Sequence, residues 1–228
     1  MPSFTSGAYA NHPIQIPPEF PKILKQYTKA AIRTQPKDLL LWSVSYFRSL
    51  ANGEAPPVKE RLEYPVPPSE SGLTPGLLRV LNKQMADPTS TASLTVSKAT
   101  LKSKWRGICL SIHHLEEILH SAPDGLDNAE EVAWAPFVLA AAASIAPHPT
   151  AESWMEVACE ALAEQPEGVA SELPEERFLE MFRLAAKKCE ASEDQTAAVE
   201  KYLRSAAERQ SGRLMPQNLK SSECPALT

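Results

Sequence analysis

Two adjacent histidines followed closely by two glutamates form the group of side chains that most resembles a metal site. His113 and His114 precede Glu116 and Glu117. Adjacent ligands point to different sides of a helix, and the HExxH spacing that places two histidines on one face does not occur. We therefore expect these residues to lie at the surface or at the edge of the core, and we predict no metal site.

The cysteines offer a second possible chemistry, that of a reactive thiol. The four of them, Cys109, Cys159, Cys189 and Cys224, lie far apart and form no CxxC pair. This spacing indicates neither a disulfide framework nor a zinc site, and it suits a reducing compartment. Cys109 and Cys159 fall on apolar stripes, where a small buried hydrophobic residue is the usual role. Because GxSxG, P-loop and GxGxxG motifs do not occur either, we predict a protein that is not an enzyme and holds no cofactor.

One stretch has the organisation of half an EF-hand. Residues 164–182 are predicted to contain the end of a helix, a loop around Gln165 to Gly168, and a second helix from near Arg177. A calcium-binding loop needs oxygen ligands at its first, third and fifth positions and an acidic residue at its twelfth. Since Pro166, Val169 and Ala170 interrupt its acids, the ligand set is incomplete. We predict a degenerate EF-hand-like hairpin, with a calcium-responsive regulator as the alternative.

A row of glutamates marks the helix before that loop. Glu152, Glu156, Glu160 and Glu164 are spaced four residues apart. Like charges at this spacing cost a helix about 0.2–0.5 kcal/mol per pair, so packing of the opposite face must hold it. The row is either a solvated face or a contact with a basic neighbour in a large assembly.

Charge is distributed unevenly along the 228 residues. Residues 1–53 hold six Lys/Arg against two Asp/Glu, whereas 14 Asp/Glu and no Lys/Arg lie between Arg106 and Arg177. The formal net charge of −5 argues against general nucleic-acid binding. The longest apolar run, Val132 to Ala146, falls short of the roughly 20 residues of a membrane span, and the N-terminus has no secretory pattern. We expect an intracellular protein with two modules and with neither nucleic acid nor a membrane as a partner.

Two amphipathic helices are predicted near the N-terminus, from about 18 to 34 and from Pro36 to about residue 51. Pro18 can open the first, and Asn52-Gly53 ends the second. The residues just before Pro17 should be extended, because proline disfavours a helical residue before it. Two helices of this length cannot enclose a core, so we predict that the hairpin dimerises into a four-helix bundle.

The rest of the chain is also predicted to be helical, and the fold class is all-α. The expected divisions are a flexible N-terminus (1–12), a hairpin domain (13–53), a proline-rich linker (54–71), a helical C-terminal region (72–210) and an irregular tail (211–228). Helices are expected from Pro75 to Met85, around 101–109, around 115–119, at 132–146, 150–164 and 174–190, and from a capping box at Ser192 to about 209. No strand is predicted after residue 17.

The segment from His12 to Leu50, which contains IQIPP, LKQYTKAAIRTQP, DLL and YF, closely resembles the dimerisation/docking domain of type II regulatory subunits of cyclic-AMP-dependent protein kinase. The resemblance implies an X-type four-helix bundle with a shallow apolar groove for one amphipathic helix of an A-kinase anchoring protein. No Arg-Arg-x-Ser pseudosubstrate or cyclic-nucleotide cassette follows. Residues 72–85, 101–110 and 166–178 instead resemble ropporin and the ropporin-like radial spoke proteins of cilia and flagella.

The resemblance assigns two sets of residues on the hairpin. Carried over position by position, the groove for the anchoring helix consists of Ile14, Ile16, Pro21, Leu24, Lys25, Thr28, Lys29 and Ile32. The dimer core consists mainly of Phe20, Ile23, Tyr27, Leu39, Trp42 and Phe47.

The function implied by the resemblance is that of a structural adaptor in the radial spoke of a motile cilium or flagellum. The hairpin would form a homodimer, or a heterodimer with a related docking-domain protein, and hold an amphipathic helix of the spoke-stalk scaffold. The C-terminal region would contact other spoke proteins. The implied location is the axoneme, and the cytoplasm before assembly. An adaptor for sperm or ciliary anchoring proteins outside the spoke is the alternative.

Overall fold

The structure is a computed structural model that describes residues 15–64, 71–85, 95–122, 126, 130–163 and 171–226. The predictions for the N-terminus (1–12), for Ile14, for the loop from Asp87 to Ser93 and for most of the EF-hand-like loop, including Glu164, lie outside the described residues.

The predicted hairpin is present as helices α1 (Phe20–Thr34) and α2 (Leu39–Ala51). A turn in which the Phe20 N–H donates to the Pro17 carbonyl at 3.0 Å precedes α1, so the helix begins slightly later than predicted. Gln35 ends α1 in the left-handed conformation, with φ of 50°. The Asp38 side chain caps α2 by accepting from the Leu41 N–H at 2.9 Å. Local sequence signals therefore set both ends of the turn.

The C-terminal region is a helical body, and the all-α fold class is confirmed. Its helices are α3 (Pro75–Met85), α4 (Lys98–Gly107), α5 (Ile112–Ser121), α6 (Trp134–Ile145), α7 (Ala151–Leu162), α8 (Glu175–Lys188) and α9 (Glu193–Arg209). Helix α6 is apolar almost all round and packs against α5, α7 and α8. The predicted capping box of Ser192 and Gln195 opens α9.

The expectation of no strand after residue 17 is wrong at four short segments. Strand β1 (Thr95–Ser97) pairs antiparallel with β2 (Glu131–Ala133), and β3 (Leu173–Pro174) pairs antiparallel with β4 (Arg213–Leu214). Segments of two or three residues are too short to show an alternating pattern, and each pairs with a segment remote in sequence. The tail is correspondingly more regular than predicted, since it contains β4 and a short 3-10 helix (Pro216–Asn218).

The strands reveal a repeated unit. A helix, a short strand and a second helix follow one another in α3–β1–α4, α5–β2–α6 and α7–β3–α8. The paired strands bury their apolar residues against each other, Val96 opposite Val132 and Leu173 opposite Leu214. This order of elements is that of paired EF-hands. The order of elements from α3 onward is therefore consistent with a degenerate EF-hand-like bundle, for which residues 164–182 supplied the sequence signal.

Residues 54–64, which belong to the predicted linker, lie between the hairpin and the body. The Arg33 guanidinium donates to the Glu60 carbonyl at 3.2 Å, and the Lys59 N–H donates to Thr34 Oγ1 at 3.2 Å. From the body, Gln84 Nε2 donates to the Ala55 carbonyl at 3.0 Å. We call residues 54–64 the strap, because they contact both parts of the molecule.

Ion pairs fix the strap to the body. The Glu60 carboxylate pairs with Arg79 and Lys83 on α3. Burial alone would raise the pKa of Glu60, but the hydrogen bond from Lys83 and the charge of Arg79 outweigh it and lower the pKa below its ordinary value. This link therefore stabilises the fold above the ordinary glutamate pKa, and the stabilisation is lost as the pH falls through the lowered value.

The side chain of Glu63, on the strap, is largely enclosed. Its carboxylate pairs with Lys59, and the side chains of the two residues are only 9% and 5% exposed. It also accepts hydrogen bonds from Thr74 Oγ1 and from the Gly76 N–H, both at 2.7 Å. A side chain of the strap thus caps the N-terminus of α3, where an anion is favoured by the free N–H groups.

Glu63→Gln is expected to lower the free energy of unfolding by about 3 kcal/mol, because it leaves the buried Lys59 ammonium without its counter-charge. Urea titration followed by circular dichroism measures this loss. Glu54→Gln is the matched control: Glu54 pairs with Lys104 at the surface, so this variant should lose far less stability than Glu63→Gln. Equal losses in the two variants would contradict the role given to Glu63.

Candidate docking surface

Exposed apolar side chains are concentrated on the hairpin. Among the described residues, eleven of the thirteen large hydrophobic side chains that are exposed lie between Ile16 and Leu50. The other two, Leu62 and Tyr64, lie on the strap. An apolar surface this concentrated is typical of a protein-binding face, because burial in an interface stabilises such side chains by about 25 cal/mol per Å².

The residues predicted to form the groove remain accessible along one face of α1. Pro21, Leu24, Thr28 and Ile32 recur at three- and four-residue spacing and are all exposed. Leu24 is 42% and Ile32 65% exposed. Lys25 and Lys29 are exposed beside them, and so is Ile16 before the helix. The body covers none of these side chains.

Five of the six residues predicted for the dimer core are exposed or only half-buried. Phe20, Ile23, Leu39 and Phe47 are each exposed. Tyr27 is half-buried; its hydroxyl lies 2.6 Å from Ser43 Oγ and its ring stacks on Phe47 at 5.2 Å between centroids. These side chains are available to a second hairpin.

Trp42, the sixth, has a different environment. Its side chain is fully buried within its own chain, and its indole N–H donates to the Pro57 carbonyl at 2.8 Å. It forms a small core with Ala30 and Tyr46, against which Val58 of the strap packs. Trp42 therefore joins the hairpin to the strap, and no second chain is needed to cover it.

The sequence analysis assigned Tyr46 to no contact, and it did not predict the close approach of α2 to α4. Tyr46 is buried, with its ring 5.2 Å from that of Trp42. At Gly107 of α4, a Cβ atom would lie 2.3 Å from Ser45 Oγ and 3.2 Å from Ser45 Cβ, so a larger residue there would force the Ser45 side chain to move. Tyr46 follows Trp42 by four residues and therefore lies on the same face of α2. This spacing was the available signal for its burial, but it did not show which surface would cover the two rings.

In the part of the chain that the structure describes, the side chains that could do covalent or metal chemistry do not come together in one site. Burial raises the pKa of the Cys159 thiol and, less strongly, that of Cys109, so neither is a ready nucleophile. Cys159 is buried as predicted, whereas Cys109 lies outside a helix, at the contact with the hairpin, and donates to the Asp38 carbonyl at 3.3 Å.

Within the described ranges, no group of three or more His, Cys, Asp or Glu could hold a metal ion. His114 packs near Trp105, with ring centroids 6.1 Å apart, and His113 points to solvent.

The strands allow the EF-hand-like loops to be aligned. If the central residue of each strand takes position 8 of the loop, position 12 falls four residues later, where calcium loops have a glutamate. These positions are held by Thr100, Pro136, Arg177 and Asn218, when Leu173 and Leu214 are taken as the central residues of the shorter strands. None of the four can supply a bidentate carboxylate.

Millimolar calcium is therefore expected to leave the melting temperature and the helix content unchanged. Circular dichroism of the full chain with calcium, compared with the chain in a chelator, measures both. Magnesium at equal concentration controls for ionic strength. A rise of several degrees that only calcium produces would revive the calcium-responsive alternative.

The acidic row on α7 has basic neighbours within the chain itself. Glu160 pairs with Arg61 of the strap, and Glu156 lies 2.9 Å from the Lys220 ammonium. Arg79 also donates to the Glu160 carbonyl at 2.9 Å. Part of the row therefore anchors the strap and the C-terminal tail, in addition to facing solvent.

Comparison with protein families matches two parts of the chain. The model of the ropporin N-terminal domain matches residues 1–54, and the model of the ropporin middle domain matches residues 76–147. Together they cover more than half of the chain. The chain belongs to the ropporin family. The first match contains the whole hairpin, and the second contains α3 (apart from its first residue) to α6 with the β1–β2 pair.

Family membership gives the coarse function. Ropporin-type domains are non-catalytic adaptor domains that act through contacts with other proteins, and the family is linked to the sperm flagellum and the cilium. Among the described residues of this ropporin-like chain, no helix is both long and apolar enough to cross a membrane.

Proposed function

We propose that this ropporin-like protein is a dimeric adaptor that holds one amphipathic helix of an anchoring-type scaffold. The observation that carries the proposal is the accessible apolar face of the hairpin, in a molecule whose body buries its own apolar side chains. Helix-in-groove recognition uses such a face, with apolar anchors of the bound helix at i, i+4 and i+7.

The hairpin has separate surfaces for its three proposed contacts. Trp42, Tyr46 and Ala30 attach it to the strap. Phe20 and Ile23 would contact a second hairpin, while Leu24 and the rest of the groove row would contact the scaffold helix. Because the attachment uses side chains outside the groove row, the hairpin can bind partners while it stays attached to the body.

We propose the radial spoke of a motile cilium as the assembly, with its stalk scaffold as the source of the bound helix and other spoke proteins as partners of the body. The proposed location is the axoneme. A sperm or ciliary signalling adaptor outside the spoke remains the second candidate. Affinity capture from solubilised axonemes with the full chain distinguishes them: recovery of spoke-stalk components supports the first, and recovery of anchoring proteins without spoke components supports the second.

The full chain is expected to sediment at twice its mass of 25.0 kDa, and Ile23→Glu is expected to make it a monomer. The substitution would place a charge in the apolar dimer core, where it has no partner. Sedimentation equilibrium at tens of micromolar measures the mass. Leu62→Glu, which adds the same charge at an exposed leucine of the strap, should stay dimeric. A monomeric wild-type chain would refute the dimer.

A further inference from the structure

A row of lysines follows the proposed groove along α1. Lys22, Lys25 and Lys29 are spaced three and four residues apart, and all three are exposed. Residues advance by about 100° in a helix, so Lys25 lies about 60–100° round the helix from Leu24 and Thr28, and Lys29 about 100–140°. The lysines therefore border the apolar row directly.

These lysines lack charge partners of their own. None of the three makes an ion pair within 4.0 Å with any residue that the structure describes, although most of the basic residues on the strap and on α3 are paired. The hairpin from residue 15 to residue 53 carries only two acidic residues, Glu19 and Asp38, against six basic ones. Asp38 is occupied as the cap of α2. The charge of this surface is therefore uncompensated within the described chain.

The other border of the apolar row has no such charge. There α1 turns toward α2 and the strap, through Tyr27, Ala30, Ala31 and Thr34, which are buried or half-buried. A helix lying in the groove would thus meet hydrocarbon below it and ammonium groups along the edge that each α1 contributes. In a two-fold dimer each lysine occurs twice, so Lys25 and Lys29 together present four positive charges.

We infer that the groove selects an acidic amphipathic helix, one with aspartate or glutamate in the positions that flank its apolar stripe. The inference rests on the proposed function, since it specifies the partner of the same groove. Apolar burial supplies most of the affinity, and the lysines supply the discrimination between helices with equal apolar stripes. An exposed ion pair raises affinity by about 1.4- to 5-fold. Four pairs near the lower end of this range, about 1.8-fold each, are expected to raise the affinity about tenfold.

The test uses three labelled peptides of about 18 residues with the same leucine and isoleucine anchors. Their flanking positions are all glutamate, all glutamine or all lysine, and fluorescence anisotropy with the full chain gives the Kd of each. The glutamate peptide should bind about tenfold more tightly than the glutamine peptide, and the lysine peptide more weakly than both. The difference should shrink between about 50 and 300 mM salt, because exposed charges are screened.

Charge reversal supplies the decisive variant. Lys25→Glu combined with Lys29→Glu should make the lysine peptide the tightest ligand. The matched control, Lys201→Glu with Arg209→Glu, makes the same change in net charge at exposed positions of α9, and should keep the wild-type order. Equal binding of all three peptides to the wild type would overturn the inference of charge selection, although the groove would still be shown to bind an amphipathic helix. Failure of all three to bind would instead refute the proposed function.

Discussion

Leu24→Glu is expected to abolish binding of an amphipathic anchoring helix while the chain remains a folded dimer. Leu24 lies in the proposed groove row and is 42% exposed, so a glutamate there is solvated until a partner covers it. Binding would then bury an unpaired carboxylate and lose an apolar contact of about 1.5–3 kcal/mol. Because the two-fold dimer presents the position twice, both costs are doubled, and the loss should exceed a hundredfold in Kd.

Anisotropy titration with the glutamine-flanked peptide measures the loss, and sedimentation confirms that the variant is dimeric. Leu62→Glu is the matched control, since Leu62 has a similar exposed fraction, 49%, but lies on the strap. The pair Ile14→Ala and Ile16→Ala tests the preceding segment of the groove in the same way and should also abolish binding. Wild-type affinity in either still-dimeric variant would show that the groove is elsewhere.

Trp42→Ala is expected to lower the free energy of unfolding by about 3–5 kcal/mol, the usual cost of removing a large buried aromatic side chain. Trp42 is fully buried, its ring packs on Tyr27 and Tyr46, and its N–H satisfies the Pro57 carbonyl. The hairpin would lose its small core and its attachment to the strap together. Hydrogen exchange in residues 54–64 should therefore rise along with the loss of stability.

Two further variants separate the parts of this effect. Trp42→Phe keeps an aromatic ring but removes the hydrogen bond to Pro57, so it should cost about 1–3 kcal/mol. Leu40→Ala removes a side chain that is 81% exposed on the same helix and should change stability by less than about 0.5 kcal/mol. If Trp42→Ala instead leaves stability and exchange unchanged but dissociates the dimer, Trp42 belongs to the dimer core after all.

The sequence alone determined the helices and their order, because the signals for a helix are local. A proline opens α3 close to where it was expected, Asp38 caps α2, and Ser192 with Gln195 caps α9. Each signal acts within one turn of the backbone, so it needs no knowledge of the rest of the chain. The resemblance of residues 72–85, 101–110 and 166–178 to ropporin likewise indicated the family before any contact was known.

The strands and the position of the strap depended on contacts between residues remote in sequence. Val96 meets Val132, and Arg61 meets Glu160, only after the helices have packed. The strands are too short to leave a period in the sequence. The prolines of the strap predict an extended chain. They do not show whether that chain is solvated or packed against the body.

Trp42 shows most clearly what the sequence could not determine. Helical spacing places it on an apolar face together with Tyr46 and Phe47, but spacing does not identify the surface that covers each residue. In the folded chain the strap and Cys109 cover Trp42 and Tyr46, whereas Phe47 stays exposed. Periodicity specifies which side chains avoid water, and only tertiary packing decides whether the chain itself or a partner protein covers them.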